Sequence, residues 1–138
     1  MIPKYRVWDK NQQIMRGVRC LFWTKNNLAA HCSPMSDKFD KYFTTILNDG
    51  EYHLMQSTGL KDKNGVEIYE GDIVKVTDDY GDTDFSDGGI GTICGLTDLY
   101  MWYIDGQVHN GLYDIDQCYY IEVIGNIYEN KELLEAMK

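Results

Sequence analysis

A chain of 138 residues with 43% hydrophobic and 13% aromatic side chains carries enough apolar mass for one packed domain, which excludes a chain disordered throughout. The net charge of −9 is unevenly spread: residues 1–41 hold eight bases against three acids (+5), and residues 42–138 hold five bases against nineteen acids (−14). No apolar run reaches the roughly 18 residues that span a bilayer, and the opening MIPKYRVWDK is charged where a secretory leader is apolar, so a cytoplasmic location is expected.

In chain order, Lys4-Tyr5-Arg6-Val7 alternates at period two, as a half-buried strand does, with Lys4 and Arg6 expected to face solvent. A polar turn at Asp9-Lys10-Asn11-Gln12 leads into Gln13-Ile14-Met15-Arg16, which gives an N-terminal hairpin, and Val18 to Trp23 form a further strand. Over residues 36–48, Phe39, Tyr42, Phe43, Ile46 and Leu47 recur at three- and four-residue steps, with Ser36 as N-cap and Gly50 as stop. This favours a helix over the alternative, a pair of short strands. Asn64-Gly65 predicts a tight turn, and Glu70-Gly71-Asp72 another that introduces the strand Ile73-Val74-Lys75-Val76.

An Asp- and Gly-rich loop over 78–89 follows, then a strand ending at Cys94. Leu99 to Ile104 and Gln107 to Tyr113 flank Asp105-Gly106, which predicts a hairpin turning there; Cys118 to Ile124 is one more strand. Asn130 caps a short helix over Lys131 to Met137, with Leu133, Leu134 and Met137 inward. The expected fold class is mainly β: a small bent barrel of SH3-like type, with an N-terminal β-hairpin unit and one or two short helices. One domain over 1–138 is expected, with 1–53 as its hairpin region and 54–138 as its barrel region.

Chemical signatures were weighed against plain structural readings. Asp82, Asp84 and Ser86 match the first, third and fifth positions of a calcium loop, but the sixth is Asp87 instead of Gly and the twelfth is Ile93 instead of Glu. A solvated surface loop is preferred. Gly89, Gly91 and Gly95 are spaced one residue too long for a dinucleotide fingerprint, and a strand follows them, so they read as turn glycines. His31, His53 and His109 lie in unrelated contexts, and Cys20, His31 and Cys32 lack zinc-ligand spacing. The four cysteines (Cys20, Cys32, Cys94, Cys118) are scattered and read as free thiols of the core. No catalytic residue, metal or cofactor is assigned, and the expectation is a protein that is not an enzyme.

The basic start carries a binding hypothesis. Lys4, Arg6, Lys10, Arg16, Arg19 and Lys25 are interleaved with Tyr5, Trp8, Phe22 and Trp23, and bases beside aromatic rings hold phosphates and stack nucleobases. Strand alternation produces the same pattern and is preferred. Arg16 and Arg19 are the candidate nucleic-acid contacts.

Four segments together resemble the YopX-like family of phage and prophage proteins: Lys4-Tyr5-Arg6-Val7-Trp8-Asp9; Met55-Gln56-Ser57-Thr58-Gly59-Leu60-Lys61-Asp62-Lys63-Asn64-Gly65; Ile68-Tyr69-Glu70-Gly71-Asp72-Ile73-Val74; and Glu122-Val123-Ile124-Gly125-Asn126-Ile127-Tyr128-Glu129-Asn130. Residues 26–50 and 78–89 depart from that pattern and read as variable insertions. The resemblance implies a phage or prophage origin, a β-rich fold and life inside a bacterial host cell; it implies no reaction. Physically, Gly59, Gly65 and Gly71 serve backbone conformations that a Cβ resists. In the functional alternative, Lys61, Asp62, Lys63 and Glu70 form an exposed recognition surface on these turns.

The leading reading is a non-enzymatic protein-interaction module that binds a phage or host protein. Its rivals are nucleic-acid binding through the basic hairpin and an acidic nucleic-acid mimic. Pairing of the +5 and −14 portions between copies predicts a homo-oligomer.

Overall fold

β-branched and aromatic residues between glycine and asparagine turns build strands throughout. The protein is seen here in a computed structural model that describes residues 4–34, 44–78, 89–95, 102–107, 110–111 and 119–136. In order these are β1 (Tyr5–Asp9), β2 (Ile14–Thr24), β3 (Asn27–Pro34), β4 (Thr45–Leu47), β5 (Tyr52–Lys61), β6 (Glu67–Tyr69), β7 (Asp72–Asp78), β8 (Gly89–Cys94), β9 (Tyr103–Gly106), β10 (Asn110–Gly111), β11 (Tyr119–Asn126) and the helix α1 (Lys131–Ala136). They form two sheets, β4-β3-β2-β1-β5-β6 and β10-β9-β8-β7-β11, in which the registered pairs are antiparallel. Among the described residues each sheet has two ends and neither closes, so the expected single barrel is replaced by two open sheets. The chain divides into two compact units, Met1–Ser57 and Thr58–Lys138, and the division falls inside β5.

In the first unit, β1 lies between β2 and β5, with Val7 opposite Arg16 on one side and Leu54 on the other. Val7, Ala30, Cys32 and Leu47 form its core, packed by Val18, Leu21, Tyr52 and Leu54. Val7 and Leu47 each contribute about 1.5–3 kcal/mol on burial. The predicted hairpin is present, but β2 runs unbroken from Ile14 to Thr24 through Gly17, where two separate strands were expected. Thr45–Leu47, inside the segment read as helical, is strand β4 paired with Ala30–Cys32. Pairing of Thr45 and Ile46 with β3 overrides a weak helical period; the rest of that segment, 36–43, lies outside the described residues.

In the second unit, Ile68, Val74, Val76, Ile93, Trp102 and Ile104 pack together with Leu60, Ile121 and Val123. Gly91 faces Val74 on one side and Gly106 on the other. A Cβ there would stand 2.5 Å from Ile104 Cγ2, so the isoleucine occupies the glycine's missing side chain. The hairpin predicted around Asp105-Gly106 forms, with Ile104 opposite Asn110 and Tyr103 opposite Gly111, and on its other side Asp105 and Gly106 also pair with Thr92 and Gly91 of β8. The predicted C-terminal helix forms as Lys131–Ala136, with Leu133 N–H bonded to the Asn130 carbonyl at 3.0 Å. Among the described residues, no helix is long and apolar enough to cross a membrane.

Candidate functional site

The polar residues of the motif segments are spent largely on their own backbone. Asp9 is 1% exposed; its Oδ1 accepts the Asn11 and Gln12 N–H groups at 2.9 and 3.1 Å, and its Oδ2 accepts Arg16 Nε at 2.9 Å. Arg16 donates through Nη2 to Gln12 Oε1 at 2.8 Å, which completes a buried clasp around the β1–β2 turn. Asp62 is likewise buried: Oδ1 accepts Asn64 and Val66 N–H, both at 2.8 Å, and Oδ2 accepts Val123 N–H of β11 at 2.9 Å. Asp72 Oδ2 accepts Tyr69 N–H at 2.8 Å and holds the turn between β6 and β7. Asn126 Oδ1 accepts Tyr128 and Glu129 N–H, while its own N–H donates to Asn130 Oδ1 at 3.1 Å. Gly59, Gly65 and Gly71 have φ of 80°, 82° and 85°, conformations that glycine adopts without strain.

This arrangement sorts the residues singled out from the sequence. Lys61 and Lys63 are exposed, and Lys63 Nζ lies 3.5 Å from Glu122 Oε2. Asp62, in contrast, is a buried turn anchor and not part of an exposed surface. Glu70 is half-buried, with its carboxylate where a Cβ on Gly95 would fall. Arg16 is locked in the Asp9 clasp, while Arg19 is exposed, so the two do not form one basic face. Arg6 is buried, not solvent-facing, and Trp8 is buried too. Cys32 is buried and Cys20 exposed, and both are free thiols. Burial pushes the Cys32 thiol up to about 11, against the opposing pull of the Arg16 charge. His31 stands opposite Cys20 on one side and Ile46 on the other, and His53 opposite Trp8. Among the described residues no group of His, Cys, Asp and Glu is placed to hold a metal. The calcium-loop candidates Asp82, Asp84, Ser86 and Asp87 lie outside those residues, as do His109 and Cys118.

What the sequence reading did not separate out is the arm formed by β2 and β3. β1 is registered against β2 only from Ile14 to Gly17. Beyond that, β2 pairs with β3 through the rungs Leu21–Ala30, Phe22–Ala29, Trp23–Leu28 and Thr24–Asn27. The register slips between Val18 and Cys20, which makes Arg19 the extra residue of a bulge and turns it outward. Trp23 is 72% exposed, and Lys25 at the apex is exposed with φ of 54°, where glycine or asparagine would be at rest. From Lys10 to Ser36 there is no Asp or Glu. One rung from its apex the arm is tied down by the Tyr52 hydroxyl, which donates to the Leu28 carbonyl. A pinned, acid-free hairpin thus presents an indole ring between an arginine and a lysine. The signal available in sequence was that acid-free run together with the Trp23–Lys25 spacing.

Comparison with known proteins adds the following. The family model described as YopX protein matches residues 4–135. Protein EF1440 from Enterococcus faecalis is 32% identical, over 97% of this chain and 99% of that one, with a TM-score of 0.57. Protein YopX from Bacillus subtilis is 22% identical, over 94% and 96% of the two chains, with a TM-score of 0.62, a likeness of fold. No curated protein matches.

Proposed function

The chain belongs to the YopX family, and from that premise we propose that it is a phage- or prophage-encoded, non-enzymatic interaction protein of the bacterial cytoplasm that docks on a partner protein through its β2–β3 arm. One observation carries the reading: Trp23 is 72% exposed on a hairpin whose outward charges, Arg19 and Lys25, are both positive. Exposed tryptophan flanked by arginine is a composition typical of the few residues that dominate protein interfaces, since both bury large area and donate directional hydrogen bonds. The lysine held at positive φ at the apex supports the same reading, because unrelaxed backbone is retained where a shape is used. The strand order of the second sheet, in which β11 returns beside β7 at the head of a meander, supports an SH3-like character for that part of the chain. Lys61, Lys63 and Glu70 then form a secondary recognition surface on its turns.

The test is affinity capture of the tagged protein from phage-infected bacterial cells, run in parallel with Trp23→Ala. A partner protein retained by the wild type and lost by the variant is the expected result; equal recovery with both overturns the reading.

A second reading, nucleic-acid binding, is favoured by the same acid-free arm, with Trp23 as stacking ring and Arg19 and Lys25 as phosphate contacts. Its mark is binding to single-stranded DNA or RNA that weakens steeply with salt and is abolished by Arg19→Glu. The acidic-mimic reading rests on the second unit, where seventeen acids face five bases; competition with DNA for a DNA-binding protein is its assay.

A further inference from the structure

The arm carries an implication for the chain's own assembly, which rests on the reading of the arm as a docking surface. Its charge is opposite to that of the second unit. Residues 14–34 contain Arg16, Arg19 and Lys25 and no acid, and with Arg16 already paired to Asp9 the exposed charges are Arg19 and Lys25, whereas Thr58–Lys138 contains seventeen acids and five bases. Among the described residues of that unit, Asp105, Glu129, Glu132 and Glu135 are exposed. The arm is therefore opposite in charge to the second unit, whose excess of acids every copy of this chain carries. We propose that the β2–β3 arm of one copy docks on the acidic second unit of another copy, with Arg19 and Lys25 against carboxylates and the Trp23 indole N–H, a donor only, towards a carboxylate oxygen.

Two physical consequences follow. The contact joins unlike surfaces, so it is heterologous: each copy gives an arm and receives one, and the assembly closes into a ring or extends. It also works against a net charge of −9 on each copy. Long-range repulsion between copies is screened at moderate salt, whereas the short-range contact of the arm fails only when salt screens over a few ångströms. Association is accordingly expected to be greatest at intermediate ionic strength and to weaken about tenfold towards 1 M salt.

The experiment uses the purified full chain in size-exclusion chromatography with light scattering, across salt concentrations and protein concentrations. Variants are Trp23→Ala and the double reversal Arg19→Glu with Lys25→Glu, each first shown to keep the wild-type urea midpoint. The wild type is expected to form a species larger than a monomer, and both variants to run as monomers. Mixing then decides the geometry. The double variant keeps its acidic unit, so immobilised wild-type protein should still capture it, because wild-type arms have a surface to dock on. Failure of that capture, variants that assemble as the wild type does, or a wild type monomeric at every concentration each overturns the proposal. The outcome is separable from that of the docking reading itself: a monomeric wild type that still captures a partner from infected cells through Trp23 sinks self-assembly and leaves partner binding standing.

Discussion

Replacement of Asp62 puts the turn chemistry to a quantitative test. Its carboxylate accepts three backbone N–H groups, at 2.8, 2.8 and 2.9 Å, from Asn64, Val66 and Val123. Hydrogen bonds to a charged acceptor contribute about 1.5–3 kcal/mol each, and a buried donor left unmatched costs about 1–3 kcal/mol. Asp62→Asn keeps one oxygen for Asn64 and Val66 but turns an amide NH2 against the Val123 N–H, so about 2–4 kcal/mol should be lost. Asp62→Ala removes all three acceptors; Asn64 and Val66 are exposed and recover water, which holds the loss to about 3–5 kcal/mol. With a urea slope of about 2 kcal/mol/M, the midpoint for the amide variant falls by roughly 1–2 M. A loss below about 0.5 kcal/mol in both variants refutes the claim that this carboxylate holds the turn. The pH dependence is a second check. Burial by itself would raise the pKa of Asp62, but the three N–H donors, helped by the Lys63 charge, outweigh it and hold the group below its ordinary 3.8. A depressed carboxylate contributes its stability fully above the unfolded value and loses it as pH falls through the folded one. The gap between wild type and Asp62→Asn should therefore be widest at neutral pH and narrow as the pH is taken below 3.8.

Other expectations concern the remaining clasps and contacts. Arg16→Leu strands the Asp9 charge in a buried site and should cost about 3–5 kcal/mol in urea unfolding. Lys63→Ala, which breaks a 3.5 Å pair between half-exposed side chains, should stay within about 0.5 kcal/mol of the wild type by the same measurement. Gly91→Ala drives a methyl towards Ile104 Cγ2 and the Asp105 carbonyl, and should lower stability by about 1–3 kcal/mol. Iodoacetamide on the native protein, followed by mass spectrometry, should modify Cys20 and spare Cys32 until the chain unfolds, since Cys32 is buried with its thiol pushed up to about 11.

Local chemistry was legible where one residue type dictates one geometry. Asn64-Gly65 reads as a turn because few pairs accept its backbone, and Ile73–Val76 reads as a strand because β-branched residues suit a pleated surface. The misreadings share another cause. The hairpin read around Asp105-Gly106 is present, but what the sequence did not show is that the same residues also pair with Thr92 and Gly91 on β8, a partner more than ten residues away that no local pattern announces. Thr45–Leu47 is drawn out of a helical pattern by β3 in the same way. Arg6 alternates as a solvent-facing residue should, but both faces of β1 are covered and it is buried. For the site, the sequence named Arg16 and Arg19 together; only folding shows that Asp9, seven residues before Arg16, claims the first and leaves the second outside. Asp62 hid for a related reason, because a charged residue beside two lysines looks like surface until a distant strand supplies its third donor.

That distant strand has its own stake in the arrangement. β11 ends the second sheet, and a terminal strand bearing unpaired amides invites the edge of any neighbouring chain. Here the Val123 amide is taken by Asp62 and the Ile121 carbonyl by the Lys63 amide at 2.9 Å, so two residues of a turn stand in for a missing strand. A tyrosine- and isoleucine-bearing ribbon is thereby denied as a template for cross-β growth, and loss of Asp62 would expose the protein to aggregation as well as to unfolding.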